Sequence, residues 1–85
     1  MSQQLKDQVA QLWRQSKDLY EQQERYSAAA YRSGGSEEAR YKSMRNDSSR
    51  QREECDRRRE ELEQQLVSLG IYVTYRGSDA VFSRS

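Results

Sequence analysis

The one cysteine of this sequence is its best candidate for nucleophilic chemistry. Arg52 precedes Cys55 by three residues and Arg59 follows it by four, so a helix would bring both guanidinium groups near the thiol and favour its thiolate form. A single cysteine among the leucines of an apolar stripe is, however, more often a packed residue than a nucleophile. We therefore predict that Cys55 is packed, and a reactive thiol is the alternative.

The other titratable side chains offer no second catalytic arrangement. The chain has no histidine, which is the usual general base near neutral pH and the commonest metal ligand. Glu60, Glu61 and Glu63 form an acidic cluster, but carboxylates on a helix surface are usually just solvated. The sequence also lacks a glycine-rich phosphate-binding loop. We expect no catalytic residue, no metal and no cofactor, and we predict that the chain is not an enzyme.

The composition limits how large a core the chain can build. Only 33% of the 85 residues are hydrophobic, below the roughly 45–50% of an average globular domain, while 34% are charged. Chains this poor in apolar residues usually need a partner to complete their core. The formal net charge of +1 gives no overall preference for nucleic acid or an anionic membrane. The composition predicts a single small domain over residues 1–85 that associates with itself or with another protein.

The sequence also carries indications of location. Its first residues lack the basic and then apolar profile of a signal peptide, and no run approaches the roughly 18 apolar residues of a membrane span. A lone cysteine fits a reducing compartment better than a disulfide-stapled secreted scaffold. We expect a soluble, cytoplasmic protein with no membrane partner.

Glycines divide the chain into three segments. Apolar residues recur every three or four positions before Gly34, and Ser36 is placed to cap a second helix after it. This predicts a helix over 2–32, a turn over 33–36 and a helix over 37–69. Gly70 is placed to end the second helix in a left-handed conformation. The segment beyond it is rich in β-branched and aromatic residues around a turn signal, so it predicts a β-hairpin over 71–84.

The two helices can pack against each other. Facing residues of an antiparallel pair have residue numbers with a constant sum, and several apolar positions satisfy one sum. These pairs are Leu5 with Leu69, Leu12 with Leu62, and Leu19 with Cys55. The sequence therefore predicts a mainly α fold: an antiparallel two-helix hairpin, similar to a coiled coil, with a short C-terminal β-hairpin, dimerising into a four-helix arrangement.

The predicted partner or oligomer interface lies at the open end of the helical hairpin, which is the end opposite the turn over 33–36. The C-terminal segment holds more apolar surface than two strands can cover, and an uncovered edge strand can accept another strand. The predicted interface residues are Leu5, Val9, Leu12, Trp13, Leu62, Leu66, Leu69, Ile71, Tyr72, Val73, Tyr75, Val81 and Phe82.

A basic segment in the second helix permits two interpretations. Pairs spaced four apart, such as Glu53 with Arg57, Glu54 with Arg58 and Arg59 with Glu63, favour a solvated, ion-paired face. The alternative is a docking surface for an acidic partner or a phosphate backbone. Its residues would be Arg40, Lys42, Arg45, Arg50, Arg52, Arg57, Arg58 and Arg59.

Tyrosines alternate with basic residues near the turn. Tyr26, Tyr31 and Tyr41 could stack on the bases of single-stranded nucleic acid. They could equally be structural, with Tyr26 and Tyr41 in the helix seam and Tyr31 over the turn, which we favour. We therefore predict a non-enzymatic helical interaction protein, an adaptor, assembly factor, chaperone or inhibitor, whose partners are itself as a homodimer and another protein. A nucleic-acid-binding accessory factor is the alternative.

Overall fold

The chain folds into two long helices followed by a β-hairpin, as predicted. A computed structural model describes residues 2–84, so Met1 and Ser85 of the predicted domain lie outside it. Helix α1 spans Ser2–Arg32 and α2 spans Ser36–Ser68, and strands β1 and β2 span Ile71–Arg76 and Asp79–Arg84. The helices run antiparallel along each other, β1 packs on α2 and β2 on α1. The result is an elongated body of 53 × 19 × 16 Å.

The turn between the helices differs in one detail from the prediction. Gly35 adopts a φ of 65°, which only glycine accepts readily, and this reversal of the chain places Ser36 inside the helix. No side chain caps the N-terminus of α2, so the prediction that Ser36 is the cap is wrong. Glu37 and Glu38 lie in the first turn, where their charge stabilises the positive end of the helix.

The end of α2 confirms the predicted glycine stop. Gly70 has a φ of 79°, and its N–H donates to the carbonyl of Val67 at 2.9 Å. This turn brings Ile71 into the core beside Leu66. Leu69 is left 57% exposed, so its predicted packing opposite Leu5 is wrong. The reason is geometric: the helix ends at Ser68, and the chain turns away at Leu69 so that Ile71 takes the buried position.

The two strands form one antiparallel sheet. Val73 pairs with Phe82, and a two-residue loop of Gly77 and Ser78 joins the strands. Gly77 has a φ of 59°, whereas no non-glycine residue among those described has a positive φ. A positive φ at only the first loop residue fits a type II′ turn, which matches the twist of a hairpin. Alternate side chains of each strand therefore face the helices and solvent.

The hydrophobic core lies at the open end of the helical hairpin. Val9, Leu66 and Ile71 are buried there. Five half-buried side chains pack around them: Leu5, Leu62, Val73, Tyr75 and Phe82. Within residues 2–84, neither helix carries an apolar stretch long enough to cross a bilayer.

Polar residues fill the middle of the seam, which is the line of contact between α1 and α2. Ser16 and Ser48 are buried, and each donates a hydrogen bond across the helices, to Asp56 at 2.7 Å and to Gln22 at 3.2 Å. These bonds satisfy polar groups that would otherwise be costly to bury. They also identify which residues of α1 and α2 lie at the same height along the hairpin.

Substitution of the two leucines near the end of α2 tests this core. Leu66→Ala removes a side chain with no exposed surface, so we expect a loss of about 2–5 kcal/mol in the free energy of unfolding. Leu69→Ala makes the same chemical change at a mostly exposed position, and its loss should stay below about 1 kcal/mol. Urea denaturation followed by circular dichroism measures both. Equal losses would contradict the described end of α2.

Candidate interaction surfaces

One cluster of side chains joins α1, α2 and the sheet. We call Trp13, Arg59, Glu63 and Tyr75 the anchor cluster. The rings of Trp13 and Tyr75 stack with their centroids 4.3 Å apart and their planes at 28°. The Arg59 guanidinium carbon lies 5.2 Å from the centroid of Trp13 and 4.9 Å from that of Tyr75, within the range of cation–π attraction.

Hydrogen bonds complete the anchor cluster. Arg59 donates to Glu63 at 2.6 Å and to Asp56 at 3.4 Å, and the Tyr75 hydroxyl donates to the same Glu63 oxygen. Trp13 Nε1 donates to the carbonyl of Gly77 at 2.9 Å, which fastens the tip of the β-hairpin to α1. Three elements are therefore tied together by directional contacts as well as by apolar packing.

The surroundings of the anchor cluster change the acidity of two of its members. Burial raises the pKa of Tyr75 to about 12, and the bond to Glu63 adds to this while Arg59 opposes it. Burial alone would lower the pKa of Arg59, but the neighbouring Tyr75 oxygen and the carboxylates of Glu63 and Asp56 raise it. Tyr75 is therefore a neutral donor and Arg59 a charged donor at neutral pH.

The structure does not bring the eight predicted basic docking residues onto one open surface. The Arg59 side chain is only 12% exposed, and Arg52 lies 5.3 Å from the ring centroid of Tyr20. Arg45 is also partly buried. Within residues 2–84, the Nε atoms of Arg52 and Arg59 are buried without a hydrogen-bond partner, as expected when ring faces take the place of acceptors.

The remaining basic residues are exposed but partly paired. Lys42 forms an ion pair with Glu38 at 2.9 Å, and Arg50 pairs with Asp47. The exposed basic residues are Arg40, Lys42, Arg50, Arg57 and Arg58. Of the three predicted pairs spaced four apart, Arg59 with Glu63 is confirmed. The pairs of Glu53 with Arg57 and Glu54 with Arg58 do not form among the residues described, and all four of these residues are exposed.

The sequence carries a signal for this arrangement in the spacing of its arginines and aromatic residues. Arg52 and Arg59 are seven residues apart, and so are Tyr20 and Trp13. A seven-residue repeat returns to the same stripe of a helix in a two-helix seam. The two aromatic residues of α1 therefore meet the two arginines of α2 in antiparallel order.

The three tyrosines at the closed end of the hairpin, near the turn between the helices, differ from one another in their surroundings. Tyr26 and Tyr41 stack across the seam with centroids 6.5 Å apart, which confirms the structural interpretation of both. Tyr31 is 92% exposed, so the prediction that it covers the turn is wrong. α1 continues to Arg32, which keeps the Tyr31 side chain on the outer surface of the last helical turn.

The predicted interface residues separate into a buried group and an exposed group. Nine of them build the core or the anchor cluster within one chain: Leu5, Val9, Trp13, Leu62, Leu66, Ile71, Val73, Tyr75 and Phe82. Tyr72 and Val81 point away from the helices and are 46% and 45% exposed. The outer face of the sheet consists of uncharged Tyr72, Thr74, Val81 and Ser83, with the charged pair of Arg76 and Asp79 at the end beside the turn.

Leu12 lies in a separate depression, which we call the open groove. It has a volume of about 480 Å³, and its walls come from both helices. The lining residues are Leu12, Gln15, Asp18, Leu19, Gln51, Glu54, Cys55 and Arg58. A second depression, beside Trp13 and Tyr20, shares none of these residues, so the groove occupies the other flank of the seam.

Cys55 lies beside the seam on the wall of the open groove, so it is only partly packed. It is partly buried, and its thiol lies 3.8 Å from Oε1 of Gln15. Burial raises the pKa of the Cys55 thiol, and the charges of Asp56 and Glu54 add to the effect. The expected influence of Arg52 and Arg59 is missing because both guanidinium groups turn toward aromatic rings on the other flank.

Comparisons of the sequence and the structure with known proteins add no assignment. No protein-family model matches the chain, and no curated protein or solved structure matches it either. Across residues 2–84, His, Cys, Asp and Glu side chains form no group of three or more that could hold a metal ion.

Two neighbouring arginines provide a test of the anchor cluster. Arg59→Leu leaves Glu63 and Asp56 without their cation, so we expect the free energy of unfolding to fall by about 1.5–3 kcal/mol. Arg57→Leu removes the same charge from an exposed position and should leave stability nearly unchanged. Urea denaturation compares the two variants. If both variants matched the parent protein, the cluster would not stabilise the fold.

The raised pKa of Tyr75 predicts a loss of stability at alkaline pH. The folded state favours the neutral phenol, so its contribution is complete below the ordinary pKa of 10.0 and disappears as the pH rises through about 12. The difference in unfolding free energy between the parent protein and Tyr75→Phe should therefore shrink over this range. Comparing the two proteins cancels the titration of the lysines. A difference that is constant with pH would contradict the burial of the Tyr75 hydroxyl.

Proposed function

We propose that this chain is a small non-enzymatic interaction protein that binds another protein through the outer face of its β-hairpin. The observation that supports this most directly is the contrast between the two faces of the sheet. The inner face is held by the core and the anchor cluster, whereas the outer face presents half-exposed Tyr72 and Val81 to solvent.

The composition of the outer face favours a protein as the partner. Its centre is uncharged, and its charged pair, Arg76 and Asp79, lies at the turn. Protein interfaces have this arrangement, with charge depleted at the centre, tyrosine enriched and polar groups at the rim. A phosphate backbone would need several cations, and this face holds few.

The hairpin is held rigidly enough to act as a docking element. Trp13 bonds to Gly77 at the tip, Tyr75 is stacked, and Lys6 Nζ lies 5.8 Å above the ring of Phe82. A surface that is already ordered loses less conformational entropy on binding. Each strand also has one edge without a neighbouring strand, to which an extended segment of the partner could add.

The nucleic-acid alternative has weaker support. Two of its stacking candidates, Tyr26 and Tyr41, are engaged with each other, and two of the basic residues, Arg52 and Arg59, are covered by aromatic rings. Tyr31 remains available beside exposed Arg32. The adaptor, assembly, chaperone or inhibitor role, and a cytoplasmic location, stay predictions within the proposal.

Site-specific crosslinking tests the proposal. A photoreactive phenylalanine replaces Tyr72 on the outer face, Ser43 on an exposed part of α2, or Tyr31 at the closed end, in protein expressed in its native cells. We expect the Tyr72 position to yield a discrete protein adduct that the Ser43 position does not. Adding Val81→Lys should abolish that adduct, because it places a charge at the uncharged centre of the face.

The same experiment separates the two functions. Circular dichroism and urea denaturation first establish that every variant remains folded. A nucleic-acid adduct from the Tyr31 position, with no protein adduct from the Tyr72 position, would favour the alternative. An adduct from the Tyr72 position that persists with Val81→Lys would show that the outer face is not the docking surface.

A further inference from the structure

We infer that the open groove binds a second copy of this chain, with the two helical hairpins antiparallel and related by a two-fold axis near Cys55. This goes beyond the proposed function, because it concerns the flank of the helices that the β-hairpin leaves uncovered. The floor of the groove includes Leu12 and Leu19, which are only partly buried in the single chain.

The positions of residues along the helix axes, which we call their heights, show that the groove is complementary to itself. The hydrogen bond from Ser16 to Asp56 places these two residues level with each other. A two-fold axis at this height, perpendicular to the helices, would exchange Leu12 with Leu19, since Ser16 lies almost midway between them. The same axis would exchange Glu54 with Arg58, since Asp56 is their midpoint. Each leucine would then meet the other leucine of the second copy, and each charge would meet its opposite.

Charge also excludes the parallel arrangement. Asp18 and Glu54 lie at one height on the two helices, because they are two residues from Ser16 and Asp56 in opposite directions along the chain. A two-fold axis along the helices would bring four of these carboxylates together. The antiparallel arrangement instead offers each Glu54 the Arg58 of the second copy, which forms no ion pair among residues 2–84. Like charges that face each other across an interface are unfavourable, so the antiparallel form is preferred.

The position of the axis supplies sufficient contact area. Ser16 lies near the middle of α1, which spans Ser2–Arg32, so two antiparallel copies would overlap along nearly the whole helical hairpin. A face of this body measures up to 53 × 19 Å. A stable interface needs only about 800 Å² from each partner. Glutamines at the border, Gln8, Gln11 and Gln15, can donate and accept hydrogen bonds without carrying charge.

Cys55 serves as the reporter of this dimer. It lies one residue from the axis, so the two thiols would be separated by only two residues, roughly 3 Å, along the helix direction. Packed helices are about 8–10 Å apart, which puts both thiols within reach of a short bis-maleimide. In the matched control, Cys55→Ser with Ser43→Cys, the two thiols would be roughly 39 Å apart along the helices.

Crosslinking and mass are measured on the full chain. We expect a covalent dimer from Cys55, none from the control, and a solution mass of twice 10.1 kDa at high micromolar concentration. A folded protein of single-chain mass, or equal crosslinking of both cysteine variants, overturns the inference. Lysine substitutions on the outer face of the sheet should leave this mass unchanged, so failure of the dimer and failure of the proposed function remain distinguishable.

Charge-reversal variants test whether the dimer interface lies in the open groove. Arg58→Glu and Glu54→Arg should each raise the dimer dissociation constant by roughly tenfold or more, because each places like charges across the axis. The double variant restores opposite charges and should recover most of the affinity. Arg57→Glu makes the same charge change outside the groove and should have little effect. A dimer that tolerates Arg58→Glu as well as Arg57→Glu has its interface elsewhere, which also overturns the inference.

Discussion

The position of Arg59 against the stacked rings of Trp13 and Tyr75 is the interaction on which the rest of the structure depends. Trp13 comes from α1, Tyr75 from β1, and Arg59 from α2, so one guanidinium group contacts all three parts of the chain. Burying the charged guanidinium group of Arg59 is unfavourable unless the charge is paired. Glu63 and Asp56 provide this pairing. The same carboxylate of Glu63 accepts from Tyr75, so the position of the sheet and the charge balance of α2 are coupled.

The small number of apolar residues explains why a charged cluster has this role. One compact core, around Val9, Leu66 and Ile71, lies at the open end, and it cannot extend along helices of more than thirty residues each. Further along the seam, the packed layers are polar: Ser16 with Asp56, and Ser48 with Gln22. Such layers contribute less to stability than apolar ones, but their directional bonds define the alignment of the helices more narrowly. A long hairpin with a short core thereby keeps one register.

This arrangement gives the two flanks of the hairpin different properties. On one flank, Trp13 and Tyr20 cover Arg59 and Arg52 of α2, and the β-hairpin covers the core. The other flank has no such cover, and Leu12, Leu19 and Cys55 remain reachable in the open groove. The outer face of the sheet is a third, separate surface with half-exposed apolar side chains. Two distinct contacts, one with a second copy and one with another protein, can therefore coexist without competing for the same residues.

The sequence by itself determined the order and extent of the elements. Helical periodicity, the glycine stop at Gly70, and the β-branched residues beyond it all act through local backbone preferences, so they could be read without the fold. The position of the core at the open end was equally accessible, because the leucines are concentrated there. The place of Cys55 beside the seam followed from its position in the same stripe, but its partial exposure in the open groove did not.

Only the tertiary structure decided how individual side chains are used. Arg52 and Arg59 carry charge, and charge alone predicts solvent exposure, yet aromatic residues distant in the sequence cover both of them. Leu69 and Tyr31 show the opposite discrepancy. Their apolar or aromatic side chains predict burial, but each residue lies at a helix end where its side chain is exposed to solvent. Burial at these positions depends on the relative rotation of the two helices and on where the sheet folds back. Both are set by contacts between distant residues, and such contacts leave only weak traces in the local sequence.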